Sequence, residues 1–216
     1  MLDTPTFLAE LDADTAQALE RIGAAASREP APDVSVARLL HLALRNELEA
    51  TECAAMWIAT TREVEVKLAL ARQAGDEAKH FRLIADRLAE LGVDTSGFDP
   101  APPSALLQHL ATLTTTVERV AAGQFTREAL ALVRNEEFIR FCDARGDART
   151  AALYREIIQP DEQHHHALGR KLLAKLATTG EAQRAARAAS EATLRLAEEL
   201  QEIAHLKMGV SRAPGC

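Results

Sequence analysis

Aromatic residues make up only 4% of this 216-residue chain, and it has just 10 glycines and 8 prolines. Sheets draw on aromatic and β-branched side chains and need frequent turns, so a chain this rich in Ala and Leu reads as helical. Cysteine is scarce as well. Cys53, Cys142 and Cys216 lie far apart with no Cys-x-x-Cys pair, which excludes a zinc ribbon or a rubredoxin-type iron site. Scattered thiols fit a reducing, cytoplasmic setting. Positive charge is in deficit, with 25 Lys and Arg against 32 Asp and Glu, and this argues against a nucleic-acid surface. No apolar run reaches 18 residues, so no membrane span is expected. The opening Met1-Leu2-Asp3-Thr4-Pro5 has neither the basic region nor the apolar core of a signal peptide. One domain over residues 1–216 is expected.

Apolar residues recur at helical spacing through most of the chain. A first helix is expected over 5–28, followed by a break at Pro30 and Pro32. Asp33 or Ser35 can cap the next helix, which runs to about Thr60 with Leu40, Ala43, Leu44, Glu47, Thr51, Ala54 and Ile58 on one face. A third helix covers 63–91, with the stripe Val66, Leu70, Ala74, Glu77, Phe81, Ile84 and Leu88, and Gly92 closes it. Residues 93–103 read as a crossover loop. The region 104–144 is too long for one helix beside these neighbours and should break near Thr112–Thr116. The helix after the break carries Phe125, Glu128, Leu132, Asn135 and Ile139, and Gly123 lies within it at some cost. Gly146-Asp147 makes a turn and cap. A helix over 148–177 should bend at Pro160, and a last helix spans 181–207, packed on the bundle or in a dimer interface. Residues 209–216 are expected to be disordered.

Two stretches carry chemistry: Asp76-Glu77-Ala78-Lys79-His80 and Asp161-Glu162-Gln163-His164-His165. Each contains Glu-x-x-His, which puts a carboxylate and an imidazole on one helix face, where both can hold one metal ion. A single such motif occurs often on solvated helices, so the pairing of the two decides. In an antiparallel hairpin, residues equidistant from the turn lie at the same height. Glu47 and Glu77 have their midpoint at Arg62, inside the 60–63 turn, and Glu128 and Glu162 have theirs at Arg145, beside Gly146-Asp147. Glu136 is the rival on that helix, but it would be out of step by about six residues, roughly 9 Å. The expected metal ligands are therefore Glu47, Glu77, His80, Glu128, Glu162 and His165, with Glu136 in reserve. One Glu from each of two helices and a Glu-x-x-His from each of two others compose a four-helix di-metal carboxylate site. Such oxygen-rich ligation suits two iron ions, or manganese, better than structural zinc. The plainer reading is kept for the rest. Glu49 and Glu52 read as surface charges. His164 and His166 flank the site, with His166 as a backup ligand. His41, His109 and His205 read as ordinary histidines, Trp57 and Tyr154 as packing residues, and Cys53 and Cys142 as small core residues.

Together with Arg45-Asn46-Glu47-Leu48-Glu49-Ala50, these stretches resemble the ferritin-like superfamily, which includes rubrerythrins, bacterioferritins and di-iron oxygenases. Within it, the closest pattern is an uncharacterised ferritin-like family related to the tRNA-modifying di-iron hydroxylases. The likeness covers about 35–177, with Arg127-Glu128-Ala129 its loosest part. It implies an all-α, ferritin-like four-helix bundle with additional N- and C-terminal helices. It also implies a di-iron oxidoreductase that activates O2 or peroxide, a hydroxylase or oxidase of a small-molecule substrate. The alternative is a ferroxidase or peroxide-detoxifying protein without an organic substrate. A bundle that has lost its metal is the third reading, disfavoured by six matching ligand types. Without a rubredoxin-like cysteine cluster, electrons would come from an external donor. A homodimer stays open.

Overall fold

The computed structural model describes residues 1–26, 34–100, 102–210 and 213–215, and it is all-α, with no strand among them. Helix α1 is Thr4–Ala26, α2 is Val36–Thr60 and α3 is Val64–Glu90. The break expected at Pro30 and Pro32, the last two residues of the expected first helix, the cap Asp33, and Cys216 lie outside the described residues. Ser35 caps α2, its Oγ accepting from the Arg38 N–H at 3.2 Å. The short α4, Ala105–Ala111, follows the 93–103 connection, and Ser104 caps it. The break near Thr112–Thr116 is present. Thr115 and Glu118 close a reciprocal capping box there, and α5 then runs over 116–144. Asp147 caps α6, which runs over 148–176, and α7 is Gly180–Met208. No helix among the described residues is long and apolar enough to cross a membrane.

Neither α5 nor α6 is a uniform α-helix. Each contains a π-helical stretch, Ala121–Arg127 in α5 and Tyr154–Ile158 in α6. One stretch ends directly before Glu128 and the other four residues before Glu162. The stretch in α6 ends just before Pro160, where a bend is expected. The Gln159 N–H reaches back to the Tyr154 carbonyl, and the five-residue spacing gives way to normal α-helix at the proline, which has no N–H to donate. Gly123 has a packing reason to sit in the other stretch, since a Cβ there would lie 2.7 Å from Cζ3 of Trp57.

Helices α2, α3, α5 and α6 place the site between two apolar layers. One layer holds Trp57, Leu70, Phe125 and Leu172. The other holds Leu44, Ile84, Phe138 and Ile158. On every one of the four helices, the candidate ligands fall between the residues that feed these layers. Helix α7 covers the π-helical stretch of α5. It buries Ala186, Ala189, Ser190, Leu194 and Ala197, and the Thr126 hydroxyl donates to Ser190 Oγ at 2.8 Å.

Two expectations are corrected. Glu49 is not a surface charge. It is buried, accepts from the Ser104 N–H at 2.8 Å, and pairs with Arg45 at 3.2 Å, tying the loop before α4 to α2. Nor is the 209–216 segment disordered where it is described. Gly209 takes the left-handed conformation (φ 64°) and turns the chain back at the end of α7. Val210 is buried, the Pro214 carbonyl accepts from Asn46 Nδ2 at 2.8 Å, and the Gly215 N–H donates to Asn135 Oδ1 at 2.8 Å.

Candidate metal centre

Six buried side chains from four helices converge at mid-height. They are Glu47 from α2, Glu77 and His80 from α3, Glu128 from α5, and Glu162 and His165 from α6. They form two overlapping groups, Glu47, Glu77, His80 and Glu162 in one, and Glu77, Glu128, Glu162 and His165 in the other. Within each group the donor atoms all lie within 4.8 Å of one another, so each group could hold a metal ion. Glu77 and Glu162 belong to both. The histidines take matching positions. His80 Nδ1 lies 3.2 Å from Glu77, 3.6 Å from Glu47 and 3.7 Å from Glu162. His165 Nδ1 lies 3.3 Å from Glu162 and 3.6 Å from both Glu77 and Glu128.

The far ring nitrogens are held crosswise. His80 Nε2 is 3.1 Å from Asp161, and His165 Nε2 is 3.1 Å from Asp76. The aspartate that begins each motif therefore orients the histidine that ends the other one. A carboxylate on Nε2–H leaves Nδ1 facing the cluster as a lone-pair donor once that nitrogen is deprotonated. Lys79 pairs with Asp161 and Arg72 with Asp76, so each aspartate is itself fixed. Gln73 adds a further contact, its amide donating to Glu128 at 2.5 Å. Sequence reasoning noted the aspartates before each Glu without giving them a role, and it missed Gln73. The available signal was Gln73's place four residues before Glu77, on the same helix face.

The remaining candidates lie elsewhere. Glu136 is exposed and pairs with Arg140 at 3.3 Å. His166, the expected backup ligand, is not among the clustered donors, and its Nδ1 donates to the Phe125 carbonyl at 2.7 Å. That contact satisfies a backbone acceptor of the π-helical stretch. His164 is exposed. Tyr154 packs edge-on against Phe138, fully buried, with its hydroxyl lacking a hydrogen-bond partner.

The donor set fits cations. One oxygen each of Glu47 and Glu162 is buried with no hydrogen-bond partner, and buried carboxylates need compensating charge. Without a metal, protons supply it. Burial, then the charges of Glu128 and Glu47, pushes Glu77 up to about 7. Burial, with the charge of Glu77, pushes Glu162 well above the usual range. Burial acting alone would lower His80, but its contacts with Glu47 and Glu77 raise it to about 11. His165 rises likewise to about 9 through Glu128. Glu128 itself falls, because its hydrogen bonds to Glu162 and His165 outweigh burial. Burial pushes Cys53 up to about 11, which leaves it an inert core thiol.

Metal binding must therefore displace protons. With their pKa values raised to about 11 and about 9, both imidazoles hold protons at pH 7 in the metal-free centre and must lose them to ligate, so loading should release at least about two protons per chain, with a further contribution from Glu77 and Glu162. Metal affinity should rise with pH. Calorimetry of metal binding in buffers of different ionisation enthalpy measures this release, and none would contradict ligation by the two histidines.

Compared with known proteins, the chain matches no curated protein and no solved structure significantly. One family profile does match, over residues 12–211, so the chain belongs to the family described as "Protein of unknown function (DUF455)".

Proposed function

We propose that this cluster is a di-metal centre of iron or manganese in a ferritin-like four-helix bundle, and that the protein is an O2- or peroxide-dependent oxidoreductase acting on a small organic substrate. The observation that carries the reading is the sharing of Glu77 and Glu162 between two four-residue ligand groups. That arrangement serves two neighbouring ions with one set of carboxylates, as in other di-metal bundles. Bound there, the metal pair would supply the redox chemistry for reducing O2 or peroxide.

The chain's own residues do the rest. Glu47 and Glu128 each serve one group, while Glu77 and Glu162 serve both. Asp161 and Asp76 fix the histidine rings. Trp57 and Phe125 on one side, with Phe138 and Tyr154 on the other, exclude water from the centre. An organic substrate is favoured over iron handling by a cavity of about 240 Å³ beside Asn46, the neighbour of Glu47, with walls that include Leu42, Leu106 and Leu200. Electrons would come from a separate donor, as the sequence has no Cys-x-x-Cys pair.

Protein purified without chelator should contain about two iron or manganese ions per chain. Glu128→Ala should lose metal, and Glu136→Ala should retain it. No metal after anaerobic reconstitution with ferrous iron would overturn the centre. O2 consumption that requires only ferrous iron would favour the iron-handling reading instead.

A further inference from the structure

The segment 213–215 places a peptide group in a polar niche beside Glu47. Asn46 Nδ2 donates to the Pro214 carbonyl, and Asn135 Oδ1 accepts from the Gly215 N–H, both at 2.8 Å. Two asparagines on different helices thus recognise the two ends of one amide. Gly215 has φ +84°, and a Cβ there would lie 3.1 Å from Glu47 Oε1 and 3.2 Å from Asn46 Cβ. The segment therefore comes this close only because the residue is glycine.

The niche offers more than the segment uses. Asn135 is fully buried, yet its Nδ2 has no partner. A surface meant only to seat a structural segment would be apolar or fully hydrogen-bonded, since each unmet buried polar group costs about 1–3 kcal/mol. The cavity of about 240 Å³ adjoins the niche. Asn46 belongs to both, and Val210 and Ala213 form part of the cavity wall.

We propose that Asn46 and Asn135 form a binding subsite, beside the candidate metal ligand Glu47, for the amide group of a small-molecule ligand, and that the 214–215 peptide occupies it as an internal competitor. The ligand carries a carbonyl and an N–H in one trans, open-chain amide, with an apolar substituent directed into the cavity. As a substrate subsite this rests on the oxidoreductase reading; as a binding site it does not.

The probe is the capped peptide acetyl-Ala-Pro-Gly-amide, which reproduces 213–215. It is titrated into full-length wild type and Gly215→Val, each as purified and after metal removal, while the Asn46 and Asn135 side-chain amide resonances are followed. The variant should expel its own segment and bind the probe at least about tenfold more tightly, because an occupied site lowers apparent affinity by the fraction that is open. Adding Asn135→Ala to Gly215→Val should abolish binding. In wild type the Gly215 N–H should be protected from hydrogen exchange. Equal binding by wild type and variant, no binding by the variant, indifference to Asn135→Ala, or an unprotected Gly215 N–H would each overturn the proposal. Metal content of the same samples separates the two readings. Two metals without probe binding sinks the amide subsite alone, and probe binding without metal sinks the oxidoreductase alone.

Discussion

Glu77→Gln is expected to abolish metal binding while making the metal-free protein more stable at neutral pH. Glu77 belongs to both ligand groups, so its loss removes a donor from each, whereas Glu47→Gln or Glu128→Gln removes one from a single group. The stability effect follows from the same burial. Folding raises the Glu77 pKa from 4.5 to about 7, so the folded chain takes up a proton that the unfolded chain has released. A raised carboxyl costs nothing below its unfolded pKa of 4.5. The cost grows as pH climbs from there and is nearly complete at 7, where the shift corresponds to something on the order of 3 kcal/mol. A neutral glutamine avoids it. Urea unfolding of the metal-free proteins should show the variant more stable by roughly that amount at pH 7, with little difference at pH 4. Glu128→Gln should go the other way, because the Glu128 pKa is lowered by its partners. A destabilised metal-free Glu77→Gln, or one that still loads two metals, would contradict this account.

This opposition between stability and ligation is what a metal centre predicts and a structural polar core does not. Four buried carboxylates with two imidazoles are held together by protons when no cation is present, and any mutation that neutralises a destabilised member relaxes the strain.

The two helical hairpins were legible in the sequence because their geometry is local. Apolar spacing sets which face of each helix is inward, and turn position sets the height of each residue. Those two facts alone put Glu47 level with Glu77, and favoured Glu128 over Glu136. What escaped depends on how one hairpin docks on the other. The crosswise bonds from Asp161 to His80 and from Asp76 to His165 join residues more than 80 positions apart. No spacing rule relates them until α3 and α6 are known to lie side by side. The π-helical stretches in α5 and α6 also leave no mark in a pattern of apolar residues, since a single extra residue in a turn is absorbed within the width of the buried stripe. Glu49 was misread because its partner, the Ser104 N–H, comes from a loop whose path the sequence does not set. The 213–215 segment was misread because its anchors are backbone groups, which every sequence has.

Gly169→Ala is expected to destabilise the protein by about 3 kcal/mol and to loosen the centre, although alanine is the better helix former. In an exposed helix the exchange would gain roughly 1 kcal/mol. Gly169 faces the backbone of α5 instead, and a Cβ would lie 2.6 Å from the Gln124 carbonyl carbon, 2.7 Å from its oxygen and 2.8 Å from the Phe125 nitrogen. These are backbone atoms of the π-helical stretch and cannot swing aside as a side-chain tip could, so α5 and α6 must separate. Overlap with fixed atoms then outweighs the propensity gain. The same contact sets the spacing across which His165 on α6 reaches Glu128 on α5, now 3.6 Å, and it lies next to the bond from His166 to the Phe125 carbonyl. Separation of the helices should therefore weaken metal retention together with stability. Gly75→Ala is the control. Gly75 is exposed within α3, with nothing within 4 Å of an added Cβ, so this change should stabilise by about 0.5–1 kcal/mol and leave metal content unchanged. Chemical denaturation and metal analysis of the two variants measure both effects. If Gly169→Ala proved as benign as Gly75→Ala, the close approach of α5 and α6 could not be what holds the two halves of the centre together.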